Sequence, residues 1–194
     1  MRDQRRRIHT GVAKAIAGQG YERATVERII KPAGVSRRTF YEIFPGKDDA
    51  FLSVHEETLA ELTVRVAAAA RATRPWARQV GAAIATALEM AATRPEHALL
   101  LVEEPPTGGP RAAYMHDQLV ARFAPGLRLG RRYAPGPLPA TLEQALLSGL
   151  VGVVVARLRA GRAKELAPLA TPLAEFVLTP YVGAAEARAG ASDI

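Results

Sequence analysis

The chain has 194 residues, with 26 Lys+Arg against 19 Asp+Glu, a formal net charge of +7 and 48% apolar residues. That balance is globular rather than disordered, and its basic excess points to a polyanionic partner, either nucleic acid or an anionic membrane surface. The absence of Cys excludes disulfides, thiolate nucleophiles and Cys-ligated metal sites, and the longest stretch without a charged residue, residues 144–156, falls short of the roughly 20 residues a bilayer span needs.

Helix formers dominate throughout, with 38 alanines, and no period-2 strand or hairpin turn interrupts them. The predicted fold is therefore all-α, with about nine helices cut by Pro and Gly clusters. The first covers roughly 4–17, with Ile8, Val12, Ala15 and Ile16 at helical spacing and Gly18 and Gly20 as its stop. The second starts at Thr25, a good N-cap, and ends near Pro32–Gly34. The third starts at Ser36, another N-cap, and stops at Pro45-Gly46. The fourth, about 47–72, carries Asp48 and Asp49 in its first turn, where the helix dipole favours them. The fifth runs from Pro75 to about Thr93, the sixth from Pro95 to about Glu104, and the seventh covers about 110–124. Residues 126–139, with Arg128, Arg131 and Arg132, read as a loop. The eighth covers about 139–160 and the ninth about 165–189.

The charge is unevenly placed. Residues 1–50 carry 11 basic and 6 acidic side chains, a net of +5, while the remaining 144 residues carry 15 and 13, a net of +2. The polyanion signal belongs to the first quarter. The N-terminus MRDQRRRIHTGV is basic with no apolar run behind it, which predicts no secretory signal and a cytoplasmic location.

Within that quarter, two short capped helices flank a turn at Gly34, the plan of a helix-turn-helix. Phe40 and Phe44, four residues apart, are expected to face inward, with Val35 plugging the corner. Arg37, Arg38, Thr39 and Tyr41 then fall on the outward faces. Two arginines on a helix are by themselves ordinary solvated charges. On the second helix of this motif they sit where side chains reach base edges in the major groove, and Arg can pair bidentately with guanine. Thr25 and Ser36 suit phosphate contact at helix starts.

The stretch GYERATVERIIKPAGVSRRTFYEIFPGKDDAF, residues 20–51, resembles the DNA-binding domain of TetR-family transcriptional regulators. The shared positions are Gly20-Tyr21, Thr25-Val26, Ile29, Ala33-Gly34-Val35-Ser36, Thr39-Phe40-Tyr41, Phe44 and Lys47. The resemblance covers about residues 4–52 strongly and the rest by length, helix count and a few features. It departs at Pro32, Ile16 and Ile43.

The resemblance implies a three-helix DNA-binding domain over residues 1–50 and a helical effector-binding and dimerisation domain over 51–194. It implies DNA contacts at Thr25, Ser36, Arg37, Arg38, Thr39, Tyr41 and Lys47, with Arg5, Arg6 and Arg7 as further phosphate contacts. It implies an effector pocket, whose candidates are Trp76, Met90, Leu100, Glu103, Tyr114, Met115, Leu119 and Phe123. It also implies a two-fold dimer through the last two segments, with Leu142, Leu146, Gly149, Leu150, Val153, Leu173, Phe176, Val177 and Tyr181 as interface candidates.

The expected partners are double-stranded DNA carrying a palindromic operator, a second copy of the chain and a small-molecule effector, with no membrane, cofactor or metal. The chain would be a repressor, associated with the nucleoid when bound to DNA. A regulator with a protein partner in place of an effector, or an architectural binder, is the competing possibility. An enzyme finds no support. There is no G-x-S-x-G, P-loop or dinucleotide fingerprint, and His55-Glu56-Glu57-Thr58-Leu59 lacks the second His of a zinc protease motif.

Overall fold

The computed structural model describes residues 2–102 and 111–191, and every described element is helical. Ten α-helices are present among these residues: α1 (Arg2–Arg23), α2 (Val26–Ala33), α3 (Arg37–Ile43), α4 (Lys47–Arg71), α5 (Trp76–Thr93), α6 (Pro95–Leu100), α7 (Arg111–Arg128), α8 (Leu142–Arg159), α9 (Ala170–Val182) and α10 (Ala184–Ala191). The expected ninth segment is thus two helices, because Gly183 takes φ 79° and ends α9. Contacts divide the chain into two compact units. One is Met1–Ala60 with Glu96–His116, and the other is Glu61–Pro95 with Asp117–Ile194.

In the first unit, α1, α2 and α3 pack around Ile8, Val12, Ile16, Ile29, Phe40, Phe44, Phe51 and Val54, all buried. Burial of each large side chain contributes about 1.5–3 kcal/mol, which is how so short a helix as α3 is held. Helix α1 runs beyond the expected stop to Arg23, but its backbone breaks at Gly20, where φ is 78°. Pro32 does not shorten α2, which continues to Ala33. Helix α6 ends at Leu100, earlier than expected, and Leu100 is fully buried in this same core.

In the second unit, α5, α9 and α10 pack on one another through Trp76, Val80, Ile84, Val177, Leu178, Tyr181 and Ala187. The expected loop after residue 124 is largely structured. Helix α7 passes through Pro125 to Arg128, and a 3-10 turn follows over Leu129–Tyr133. Gly130 is required there, because any Cβ would run into the ring of Trp76. Trp76 also donates its indole N–H to the Gly126 carbonyl at 3.1 Å, stacks on Tyr133 and meets Tyr181 edge-on.

Arg131 is no solvated loop charge. Its Nε and Nη2 donate to the Glu143 carboxylate at 2.7 and 2.8 Å, and the guanidinium also donates to the Leu138 and Pro139 carbonyls. Glu143 is only 1% exposed and accepts a further bond from the Tyr181 hydroxyl at 3.1 Å. The Arg131 hydrogen bonds hold the Glu143 carboxyl below its ordinary range against the opposing effect of burial. Burial and the neighbouring Glu143 charge push the Tyr181 hydroxyl up.

Candidate nucleic-acid interface

The interface is built on caps. Thr25 Oγ1 accepts from the Arg28 N–H at 3.3 Å and starts α2. Gly34 closes α2 in the left-handed conformation, φ 59°, ψ 39°, and the Val35 N–H reaches back to the Ile30 carbonyl at 3.3 Å. This closure needs a residue without steric cost at positive φ, which is why glycine occupies it. Ser36 Oγ accepts from the Thr39 N–H at 3.0 Å and starts α3, and it also pairs with the Thr39 hydroxyl at 2.9 Å. Phe40 and Phe44 point into the core as expected, and Val35 packs against it half-buried.

The outward face of α3 follows from that anchoring. Arg37 and Arg38 are exposed, Thr39 is half-buried, and Tyr41 is 48% exposed. The Arg37 guanidinium stands 6.0 Å from the centre of the Tyr41 ring. Arg38 donates to Glu42 at 2.9 Å along the helix, a solvent-exposed pair worth only about 0.3–0.5 kcal/mol. So weak a tie leaves Arg38 available to an incoming phosphate or base.

Other expected contacts are partly committed within the chain. Lys47 is half-buried; it donates to the Tyr21 carbonyl at 3.2 Å, with its ammonium 4.3 Å from the centre of the Tyr21 ring. The Tyr21 hydroxyl donates to Asp48, and burial raises its pKa. Arg7 donates to the Ala33 carbonyl at 2.8 Å and the Gly34 carbonyl at 2.5 Å, placing a cation on the C-terminal end of α2. Arg5 donates to Ser53 Oγ at 2.7 Å and lies over the Phe44 ring. Arg6 pairs with Asp3 on the surface.

His9 was not singled out by sequence. Its Nδ1 lies 2.8 Å from Glu57 and its Nε2 3.1 Å from Ser53 Oγ, so α1 is joined to α4. Burial lowers its pKa, Glu57 opposes that, and Arg5 adds to it. His55 is buried on α4, and burial lowers its pKa too, against a hydrogen bond to the Leu101 backbone. His9 carried no sequence signal and His55 only that of an incomplete zinc-protease motif, because each meets partners dozens of residues away in the chain.

The expected pocket residues fall in both units. Leu100 is core of the first unit, whereas Trp76, Met90, Leu119 and Phe123 belong to the second. Trp76 and Met90 are buried, and Leu119 and Phe123 are half-buried. Glu103 and the side chains of Tyr114 and Met115 lie outside the described residues. Of the expected dimer residues, Leu146, Val177 and Tyr181 are buried within the chain itself and have no surface to offer a second copy. Leu142, Leu150, Val153 and Leu173 are half-buried, Gly149 is exposed, and Phe176 is 50% exposed with its ring edge over Gly149. Among the described residues, no group of three or more His, Asp or Glu could hold a metal ion, and no helix is long and apolar enough to cross a membrane.

Residues 11–54 match the family of bacterial regulatory proteins described as tetR family. The nucleoid occlusion factor SlmA of Haemophilus ducreyi is 32% identical over 114 residues, which are 57% of this chain and 54% of that protein. The SlmA of Actinobacillus pleuropneumoniae serotype 5b is 32% identical over 105 residues, 54% and 49% of the two chains. The chain thus spans about half the length of the curated relatives it matches. Among solved structures, the fatty acid degradation regulator FadR from Bacillus halodurans superposes with a TM-score of 0.76 at 19% identity, over 89% of this chain and 96% of that one. FadR from Bacillus subtilis, solved in complex with stearoyl-CoA, gives 0.70 at 16% identity over 90% and 97%. These likenesses establish a shared fold. With the capped helix-turn-helix and its matched residues, they lead to one assignment: residues 11–54 form a helix-turn-helix unit of the tetR family of bacterial regulatory proteins.

Proposed function

We propose that the chain is a dimeric, ligand-responsive repressor that binds a palindromic operator and is released from it by a small-molecule effector. The observation that carries this reading is α3. Its N-terminal arginines and Tyr41 project outward from a buried Phe40–Phe44 base, the placement a recognition helix needs in the major groove. Arg37, Arg38 and Thr39 would read bases and phosphates, with Thr25, Ser36 and Tyr41 on the backbone and Lys47 at its margin. Residues 1–50 would form the DNA-reading domain and 51–194 the effector-binding and dimerisation domain.

Dimerisation would use the surface that α8 and α9 leave bare, around Gly149, Val153, Leu173 and Phe176. A two-fold dimer would set its two recognition helices about 34–36 Å apart, one helical turn of DNA. An effector would act by binding the DNA-free spacing better than the DNA-bound one. FadR from Bacillus subtilis, solved with stearoyl-CoA, supports a ligand for this fold. The protein would act in the cytoplasm, on the nucleoid.

Footprinting on DNA from the protein's own genomic neighbourhood tests this. The expected result is a protected palindrome with half-sites one turn apart, and at least about tenfold weaker binding by Arg37→Ala or Arg38→Ala. A protein that protects no sequence, or whose affinity ignores both substitutions, would overturn it.

A second reading has its own support. The SlmA relatives are named nucleoid occlusion factors, and Trp76, the largest pocket candidate, is committed to internal packing. An architectural or protein-partnered binder of the nucleoid need not be confined to one neighbourhood, and the spread of sites in chromatin immunoprecipitation separates it from a local repressor.

A further inference from the structure

The second unit has a charge asymmetry that DNA reading by the first unit leaves unexplained. Residues 62–88 contain Arg65, Arg71, Arg74 and Arg78, and residues 118–142 contain Arg122, Arg128, Arg131 and Arg132. Neither stretch contains a single Asp or Glu. The two stretches meet where Trp76, at the start of α5, sits against Gly130 and stacks on Tyr133 with ring centres 5.6 Å apart. Of the arginines at this junction, Arg131 is neutralised by Glu143. Arg74, Arg128 and Arg132 are exposed, with no carboxylate partner among the described residues.

The apolar side chains here are unusual as well. Leu129 is 54% and Tyr133 48% exposed, and they lie four residues apart on the turn that closes α7. Arg128 and Arg132 immediately precede Leu129 and Tyr133, so each exposed apolar side chain has an exposed cation as its chain neighbour. The Arg132 guanidinium lies over the Tyr133 ring, 4.9 Å from its centre. With Trp76 stacked on it and Arg132 over it, that ring offers its hydroxyl and edge to a partner rather than an open face. A nucleic-acid base needs the open face; a carboxylate needs only the hydroxyl and the guanidinium N–H groups.

We propose that Arg74, Arg128, Leu129, Arg132 and Tyr133 form a docking surface for an acidic segment of a protein partner. The segment's carboxylates would engage the arginines, and one of its large apolar side chains would cover Leu129 and the Tyr133 edge. The charge complementarity is one-sided, because Arg74, Arg128 and Arg132 have no carboxylate partner among the described residues. The proposal does not depend on the operator reading.

The test is a random peptide library displayed on phage and panned against the full-length protein, with depletion on the Arg128→Glu/Arg132→Glu variant. The expected outcome is enrichment of acidic sequences that each contain a large apolar residue. The best of them, made as a synthetic peptide, should bind the native protein at least about tenfold more tightly than the charge-reversed variant. Leu129→Ser should weaken the same peptide severalfold, and it keeps the test open should the double variant melt early. Enrichment without acidic bias, or peptide affinity unchanged in both variants, would overturn the proposal. So would random-sequence duplex DNA displacing the peptide and itself losing affinity with the charge reversal, which would make this a nucleic-acid surface.

Discussion

The two units hold their charged groups in opposite ways. In the first, the core cluster is apolar and the cations stay near the surface, tied to backbone carbonyls: Arg7 on Ala33 and Gly34, Lys47 on Tyr21. In the second, a carboxylate is drawn into the interior, where Arg131 and Tyr181 satisfy Glu143. A cation on a helix-end carbonyl fixes geometry and leaves its charge facing solvent. A buried ion pair fixes geometry only while both partners stay charged. The first arrangement suits a surface that must present positive charge to a polyanion, and the second suits an interior corner that must hold its shape.

The largest expected effects are on the two cores. Phe40→Ala should cost the first unit about 3–5 kcal/mol, the range for deleting a fully buried aromatic ring, and should abolish DNA binding. Trp76 is the only tryptophan and lies in the second unit, so its fluorescence should report that unit as still folded. A simultaneous collapse of Trp76 fluorescence would show the two units to be one cooperative body.

Glu143→Ala should come next, at about 2–4 kcal/mol, because it leaves the buried Tyr181 hydroxyl without its acceptor and Arg131 with its carbonyl bonds but no counter-charge. The loss should register in Trp76 fluorescence, since Trp76 packs on Tyr181. Replacing the pair by Leu at 143 and Met at 131 should recover most of it, because a buried pair exchanged for apolar side chains is close to neutral. A double variant no better than the single one would mean that the carbonyl bonds of Arg131, and not its charge, hold this corner.

These positions also show what a sequence can and cannot disclose. Thr25, Gly34, Ser36, Phe40 and Phe44 were legible because local rules determine them: a cap acts within three residues, and an inward face repeats every three or four. Arg131 was misread because its partner lies 12 residues away, across a stretch of Pro and Gly that looks like open loop. The one available signal was Glu143 itself, a lone acid among the leucines of α8. The pocket candidates are ambiguous in sequence for another reason. An apolar side chain at helical spacing reads the same whether it lines a cavity or fills a core, and Leu100 and Trp76 fill cores.

Acid should separate the units without any substitution. His9 and His55 are buried in the first unit with pKa values below the ordinary 6.5, chiefly through burial, and the second unit has no histidine. The unfolded first unit therefore binds more protons than the folded one below about pH 6.5, so its stability is complete above that pH and falls as pH drops through it. Glu143 is held below its ordinary 4.5, so its contribution is complete above that pH and is lost only as pH falls below it. Melting of the first unit followed by circular dichroism should weaken between pH 7 and 5, while Trp76 fluorescence melting holds until the pH is below 4.5. His55→Leu should flatten the first trend. Parallel decline of both signals across pH 6.5 would erase the contrast.

The smallest effect is the most discriminating, because it concerns what Arg7 is for. As one of three consecutive arginines at the start of α1, Arg7 reads from sequence as a phosphate contact. A lost phosphate contact lowers the slope of log affinity against log salt by about one. In the structure its two hydrogen bonds run to the last carbonyls of α2 and the turn, which set the angle at which α3 leaves. Arg7→Gln should therefore weaken operator binding about three- to tenfold, a net loss of about 1 kcal/mol as for one charge-assisted bond, with the salt slope unchanged. If α3 reads DNA as proposed, preference for operator over random duplex should fall with it, since a loosened α3 would still meet phosphates but align base contacts less well. A slope lowered by about one with the sequence preference intact would move Arg7 from the turn to the DNA backbone. The first unit would then spend its cations on its ligand rather than on its own helix ends.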